Sequence, residues 1–102
     1  MTEGLGVWLY AVTTADAATE LGELTGVAGE PVRAVVSGSL AAIVGSVPLE
    51  IYGEQPLRRH LEDLDWLAGT AQAHDIVVSA LVGRGPTAPL RLAAVFLDDE
   101  RV

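Results

Sequence analysis

The residues of this chain that could do chemistry are two histidines, a run of carboxylates, a Ser-Gly-Ser turn and a Gly-Arg-Gly turn. His60 and His74 stand fourteen positions apart, whereas two zinc ligands on one helix face need a spacing of four. With no cysteine to complete a set, they read as solvent-exposed or capping histidines, and no metal or other cofactor is implied. Glu62, Asp63 and Asp65 could supply paired carboxylates for acid–base work. On a helix they share the polar face, so a solvated face is the better reading. Ser37-Gly38-Ser39 lacks the glycines of a nucleophile elbow and any accompanying His and Asp pattern. Gly83-Arg84-Gly85 lacks the lysine and the helix start of a phosphate loop. No catalytic constellation emerges, and the chain does not read as an enzyme.

Three features point to contact rather than catalysis. Trp8 and Tyr10 fall on one side of an extended segment, where they form either a protein-binding patch on an open sheet face or part of a closed core. Trp66 lies off the main apolar stripe and is placed to cover a helix–helix or partner contact. Arg91, between Leu90 and Leu92, has either a half-buried stem with its head on Asp63 or Asp65, or a place on the solvent face of a sheet.

The stretch that must position these residues is Pro56 to Gly83. Leu57, Leu61, Leu64, Ala68, Ala71, Val78 and Val82 recur at three- and four-residue spacing, which predicts one long amphipathic helix burying that stripe. Truncating Leu61 or Leu64 to Ala should then cost about 2–5 kcal/mol, while charge reversal at Glu62 and Asp63 leaves the fold intact. Arg58–Glu62 and Arg59–Asp63 are i,i+4 pairs, and Pro56 suits the first turn. Gly69 and Asp75 interrupt the pattern, which predicts a bend or break between them. The β-branched run Ile76-Val77-Val78 leaves Ile76–Leu81 open between helix and strand.

Upstream, GVWLYAVT (6–13) reads as a covered strand, and Asp16 as the cap of a brief helix through Leu24. VRAVVS and LAAIVGSV flank Gly38-Ser39, the signal of a type II′ hairpin. LEIYGEQ reads as a polar, turn-rich linker, and Leu90–Leu97 as the last strand. The resulting order of strand, crossover, hairpin, helix and strand fits an α+β, ferredoxin-like sandwich with helices on one face of an antiparallel sheet.

Composition narrows the partners. Half of the 102 residues are apolar, enough for a single core in one domain, 1–102. No apolar run reaches membrane-spanning length, and no secretory signal opens the chain. Fourteen acids against six bases, net −8, argue against nucleic acid and against an anionic membrane surface. The absence of cysteine agrees with a cytoplasmic location.

In this order, the early YAV strand, LTGVAGEPVRAVVSGSLAAIVGSVP, YGEQPLRRHLEDLDWLAGTAQAHDIVV and PLRLAAVFLDDERV resemble the N-terminal half of the gas vesicle GvpL/GvpF family. The resemblance runs from Gly6 onward. Its most specific parts are G-x-P-V-R at Gly29–Arg33, the Leu61, Leu64, Trp66, Leu67 and His74 pattern, and P-L-R at Pro89–Arg91. It implies a modified ferredoxin-like N-terminal domain, with the family's helical C-terminal domain expected to be missing after the abrupt Asp98-Asp99-Glu100-Arg101-Val102. It also implies a non-enzymatic, gas vesicle-associated assembly factor whose partners are the shell protein GvpA and other gas vesicle accessory proteins. Two departures stand out: Arg91-Leu92-Ala93-Ala94 where relatives commonly carry R-F-G-T, and a loop at 14–30 short for a full first helix. The alternative is a regulatory or small-molecule-binding ferredoxin-like domain acting as a dimer. A ferredoxin-like enzyme would need polar side chains converging inside the sandwich, and the sequence supplies almost none.

Overall fold

The computed structural model describes residues 4–19, 21–22, 24–89 and the backbone of 95–96. Its first strand, β1 (Leu5–Thr14), is rich in aromatic and β-branched residues and buried along most of its length. β2 (Val32–Ser37) and β3 (Leu40–Pro48) form the expected hairpin. Gly38 has φ 62 while Ser39 stays at negative φ, the pattern of a type II′ turn. β3 returns antiparallel alongside β1. β4 (Thr87–Pro89) and β5 (Val95–Phe96) both pair antiparallel with β1 as well. The sheet order β2-β3-β1-β4 makes β1 a central strand, and with the helices it gives the α+β, ferredoxin-like arrangement. Of the expected strand Leu90–Leu97, residues 90–94 and 97 lie outside the described residues.

The helical layer consists of α1 (Leu49–Tyr52), α2 (Glu54–His60) and α3 (Leu64–Val82). The segment expected to be a polar linker is therefore helical at α1, and it buries Tyr52 against the core. Pro56 sits in the first turn of α2, where its missing N–H breaks no intrahelical bond. The expected break near Gly69 to Asp75 does not occur, and Ile76–Leu81 is helix, not strand. The interruption comes earlier, at Leu61–Asp63. The Asp63 carboxylate accepts the N–H groups of Asp65 (3.0 Å) and Trp66 (3.3 Å), which caps α3 and holds Asp63 itself in extended backbone. Asp63 is thus tied to the helix start rather than standing free on a solvated face. Arg58 pairs with Glu54 (3.4 Å) rather than with Glu62, at an exposed site where such a pair contributes little.

The stripe that buries α3 is also different from the expected one. Thr70, His74, Val77 and Leu81 face the sheet, while Leu64 is 78% exposed and Ala68, Ala71 and Val82 face outward. Hydropathy spacing selects the Leu64–Val82 series because the buried series contains a threonine and a histidine.

Between β1 and the crossover, the brief helix expected after Asp16 is replaced by turns. The Thr14 hydroxyl accepts the Ala17 N–H (3.2 Å), and the Ala18 and Thr19 N–H groups reach back to Ala15 and Asp16. Gly29, at φ 75, takes a left-handed turn that most other residues resist. Among the described residues, no helix is long and apolar enough to cross a membrane.

The rotated stripe reverses one expectation for stability. Leu81→Ala should lower unfolding free energy by about 2–5 kcal/mol, whereas Leu64→Ala should stay within about 0.5 kcal/mol. Asp63→Ala should cost about 1 kcal/mol through the lost cap. Urea denaturation of the three variants measures all of these.

Candidate functional site

A β-bulge organises the interior. Leu9 faces Val44 and Ala11 faces Ile43, so Tyr10 is an extra residue in β1 with no counterpart in β3. The bulge lets Trp8, Tyr10 and Ala11 all join the cluster beneath the helices, with Ile43, Val47, Tyr52, Val77 and Leu81. Trp8 and Tyr10 are each 0% exposed. The open-face patch considered for them does not exist in this structure, because the helical layer closes over both rings.

Each buried aromatic has a polar tip, and each tip is paired. The Trp8 indole N–H donates to His74 Nδ1 (3.0 Å), which fixes that nitrogen as the acceptor. His74 is therefore a core residue, 7% exposed, and not the surface or capping histidine expected from its polarity. Its ring lies close to both Trp8 and Tyr10, with centroid separations of 6.0 and 5.2 Å. The Tyr10 hydroxyl donates to Glu30 Oε2 (2.7 Å) and accepts the Val27 N–H (2.8 Å). Glu30 Oε1 accepts the Ala28 N–H (2.9 Å), and the Tyr52 hydroxyl donates to the Val27 carbonyl (3.2 Å). Residues 26–30 are thus folded around one carboxylate and two phenols.

Glu30 fits because two glycines leave room. A Cβ at Gly26 or at Gly45 would collide with its carboxylate, and at Gly26 also with the Tyr10 hydroxyl. Burial pushes the Tyr10 phenol above its ordinary value, and the hydrogen bond to Glu30 adds to that. Burial raises Tyr52 as well, with a further contribution from the Glu30 charge. A phenol kept neutral this way is a hydrogen-bond post rather than a base or nucleophile. The whole arrangement positions the loop at residues 26–30.

The remaining residues singled out above scatter. Trp66 is half-buried, stacked on His60 (5.0 Å between centroids) and adjacent to Tyr52 (5.8 Å), so it joins α1, α2 and α3. Arg91 lies outside the described residues. Among the described residues, no group of three or more His, Asp or Glu side chains is arranged to hold a metal ion. The depressions on the surface are shallow. One is lined by Asp16, Ala17, Thr19 and Arg84, and another, largely apolar, runs between Val12 and Leu40 on one side and Pro86 on the other. Glu30, Gly26 and Gly45 were not singled out from the sequence. The only signal was an acid set between a glycine and a proline, which marks a turn but does not say that the carboxylate points inward.

What the surface does offer is an open sheet edge. The Val32 N–H bonds the Leu24 carbonyl (3.2 Å), on the side of β2 away from β3. By strand alternation the backbone groups of Ala34 and Val36 point the same way. Among the described residues nothing meets them.

Comparison with known proteins decides the lineage. The sequence profile of the family described as "Gas vesicle synthesis protein GvpL/GvpF" matches residues 6–102. The chain belongs to the GvpL/GvpF family. Within it, the chain is 52% identical over 77 residues to "Gas vesicle protein L" of Streptomyces sp. (strain CB03234), covering 76% of this chain. This GvpL/GvpF chain spans 29% of that relative's length. No solved structure matches it.

The phenols give a pH test. A folded-state value above the unfolded one means that the folded chain keeps a proton the unfolded chain releases. The associated stability is full below pH ~10 and is lost as pH rises beyond it. Tyr10 and Tyr52 are the only tyrosines. Phenolate absorbance should therefore stay absent through the ordinary tyrosine range and rise together with unfolding, as followed by circular dichroism. A phenolate signal at half-transition near pH 10 in the folded protein would contradict the pairing described.

Proposed function

We propose that this chain is a non-enzymatic accessory protein of gas vesicle assembly that binds the shell protein GvpA, or other gas vesicle proteins. The observation that carries this reading is membership of the GvpL/GvpF family over residues 6–102. In the interior, Trp8 pairs with His74 and Tyr10 with Glu30, so these polar groups serve the packing of the domain. The exterior supports the reading. Among the described residues, nothing pairs with the outward backbone groups of Ala34 and Val36 on β2, with Val36 58% exposed and Leu40 exposed at the hairpin tip. An edge of this kind accepts an extended segment of another protein as an added strand. The net charge of −8 keeps such a factor dispersed while it handles an apolar client.

Co-expression of tagged chain with GvpA, followed by affinity capture, tests the proposal. The wild-type chain should retain GvpA. Val36→Pro removes one outward N–H without touching the β2–β3 ladder, and it should reduce retention several-fold while leaving thermal unfolding nearly unchanged. Absence of GvpA from the wild-type capture would overturn the shell-protein reading. Equal retention by the proline variant would move the contact away from this edge.

A further inference from the structure

The sheet-facing stripe of α3 does not exhaust its apolar residues. Leu64, Ala68, Ala71, Asp75, Val78 and Val82 are spaced 4, 3, 4, 3 and 4, the repeat of a coiled-coil seam. On a helix this series is centred about 110° around the axis from the buried Thr70, His74, Val77 and Leu81, with Val78 nearest to them. Leu64 is 78% and Val82 57% exposed, Ala68, Ala71 and Asp75 are exposed, and Val78 is half-buried. Together the two series make an apolar arc on α3 wider than the sheet covers, which leaves room for a second neighbour beside the first. The sheet is the first neighbour.

The electrostatics say what the second must carry. Residues 64–82 contain no lysine or arginine, and their carboxylates are Asp65, beside the seam, and Asp75, within it. A second copy of this chain laid along the same seam would bring acids against acids. A basic helix would instead place a cation opposite Asp75, and a polar residue at one seam position fixes register. Ala68 and Ala71 leave a shallow waist between Leu64 and Val82, open to large side chains on the partner.

We propose that the outward face of α3 is a docking seam for one amphipathic helix of a partner protein, apolar along its seam and flanked by lysine or arginine. This is a separate surface from the β2 edge and does not depend on the identity of the client there.

The test uses the whole 102-residue chain and three labelled peptides of about three heptads. One has leucine at the seam and lysine at the flanks, one has glutamate at the flanks, and one is a scramble of the lysine peptide. Fluorescence anisotropy should show binding of the lysine peptide, and binding roughly tenfold or more weaker for the other two. Asp75→Lys should invert the preference between lysine and glutamate peptides. Ala71→Glu is the sharper variant, since it adds negative charge while obstructing the seam, and it should lose the lysine peptide roughly tenfold. Both positions are exposed, and an unchanged melting temperature confirms that each variant is folded. Equal binding of the scramble, or undiminished binding to Ala71→Glu, would reduce the interaction to net charge and overturn the seam. Failure of the wild-type chain to bind the lysine peptide would overturn it as well.

Discussion

The fold depends on hiding two aromatic side chains with polar tips at the centre of a sheet. An indole N–H and a phenol O–H each lose water on burial, and an unpaired polar group in such a place costs about 1–3 kcal/mol. Each is met by a partner from a distant part of the chain: His74 from α3 for Trp8, and Glu30 from the crossover for Tyr10. These two bonds connect the helix and the loop to the same strand. They also explain local features that otherwise look arbitrary. The bulge in β1 turns Tyr10 toward the loop, Gly26 and Gly45 clear space for the carboxylate, and a histidine occupies a helix position that hydropathy would assign to leucine.

Much of the architecture was legible from local chemistry. Gly38-Ser39 specified its turn, Pro56 a helix start, and the β-branched and aromatic run at 7–13 a buried strand, because each of these acts through backbone geometry over a few residues. The phase of α3 was not legible. Two apolar series run along that helix, and spacing alone cannot say which meets the sheet. The series that does so is the one whose polar members find partners through the fold, as His74 does with Trp8 sixty-six residues away. The interruption at Asp63 was missed for a related reason. A side chain that looks like one more solvated acid becomes a helix cap once the chain turns there.

The site residues divide in the same way. Trp8 and Tyr10 were recognisable as important by size and chemistry, but only the helical layer shows that they serve the interior. Trp66 holds an intermediate position, joining three helices while remaining partly accessible. The functional assignment therefore rests on lineage and on surface. The surface offers a strand edge whose outward backbone groups meet nothing among the described residues, and a helix whose outer face is more apolar than solvent requires.

The strand order has a consequence for how the chain is made. β1 is the first strand to be synthesised, yet β4, which pairs with it at Ala11–Thr13, comes from residues 87–89. At roughly 5–20 residues per second, the ribosome needs on the order of 4–15 s to go from one to the other. Over that interval β1 can hold β3 on one side while the other side stays exposed with its hydrogen bonds unmade. A nascent chain of this topology is most vulnerable to misassociation until residues 87–89 emerge, so translation speed between β3 and β4 should influence yield.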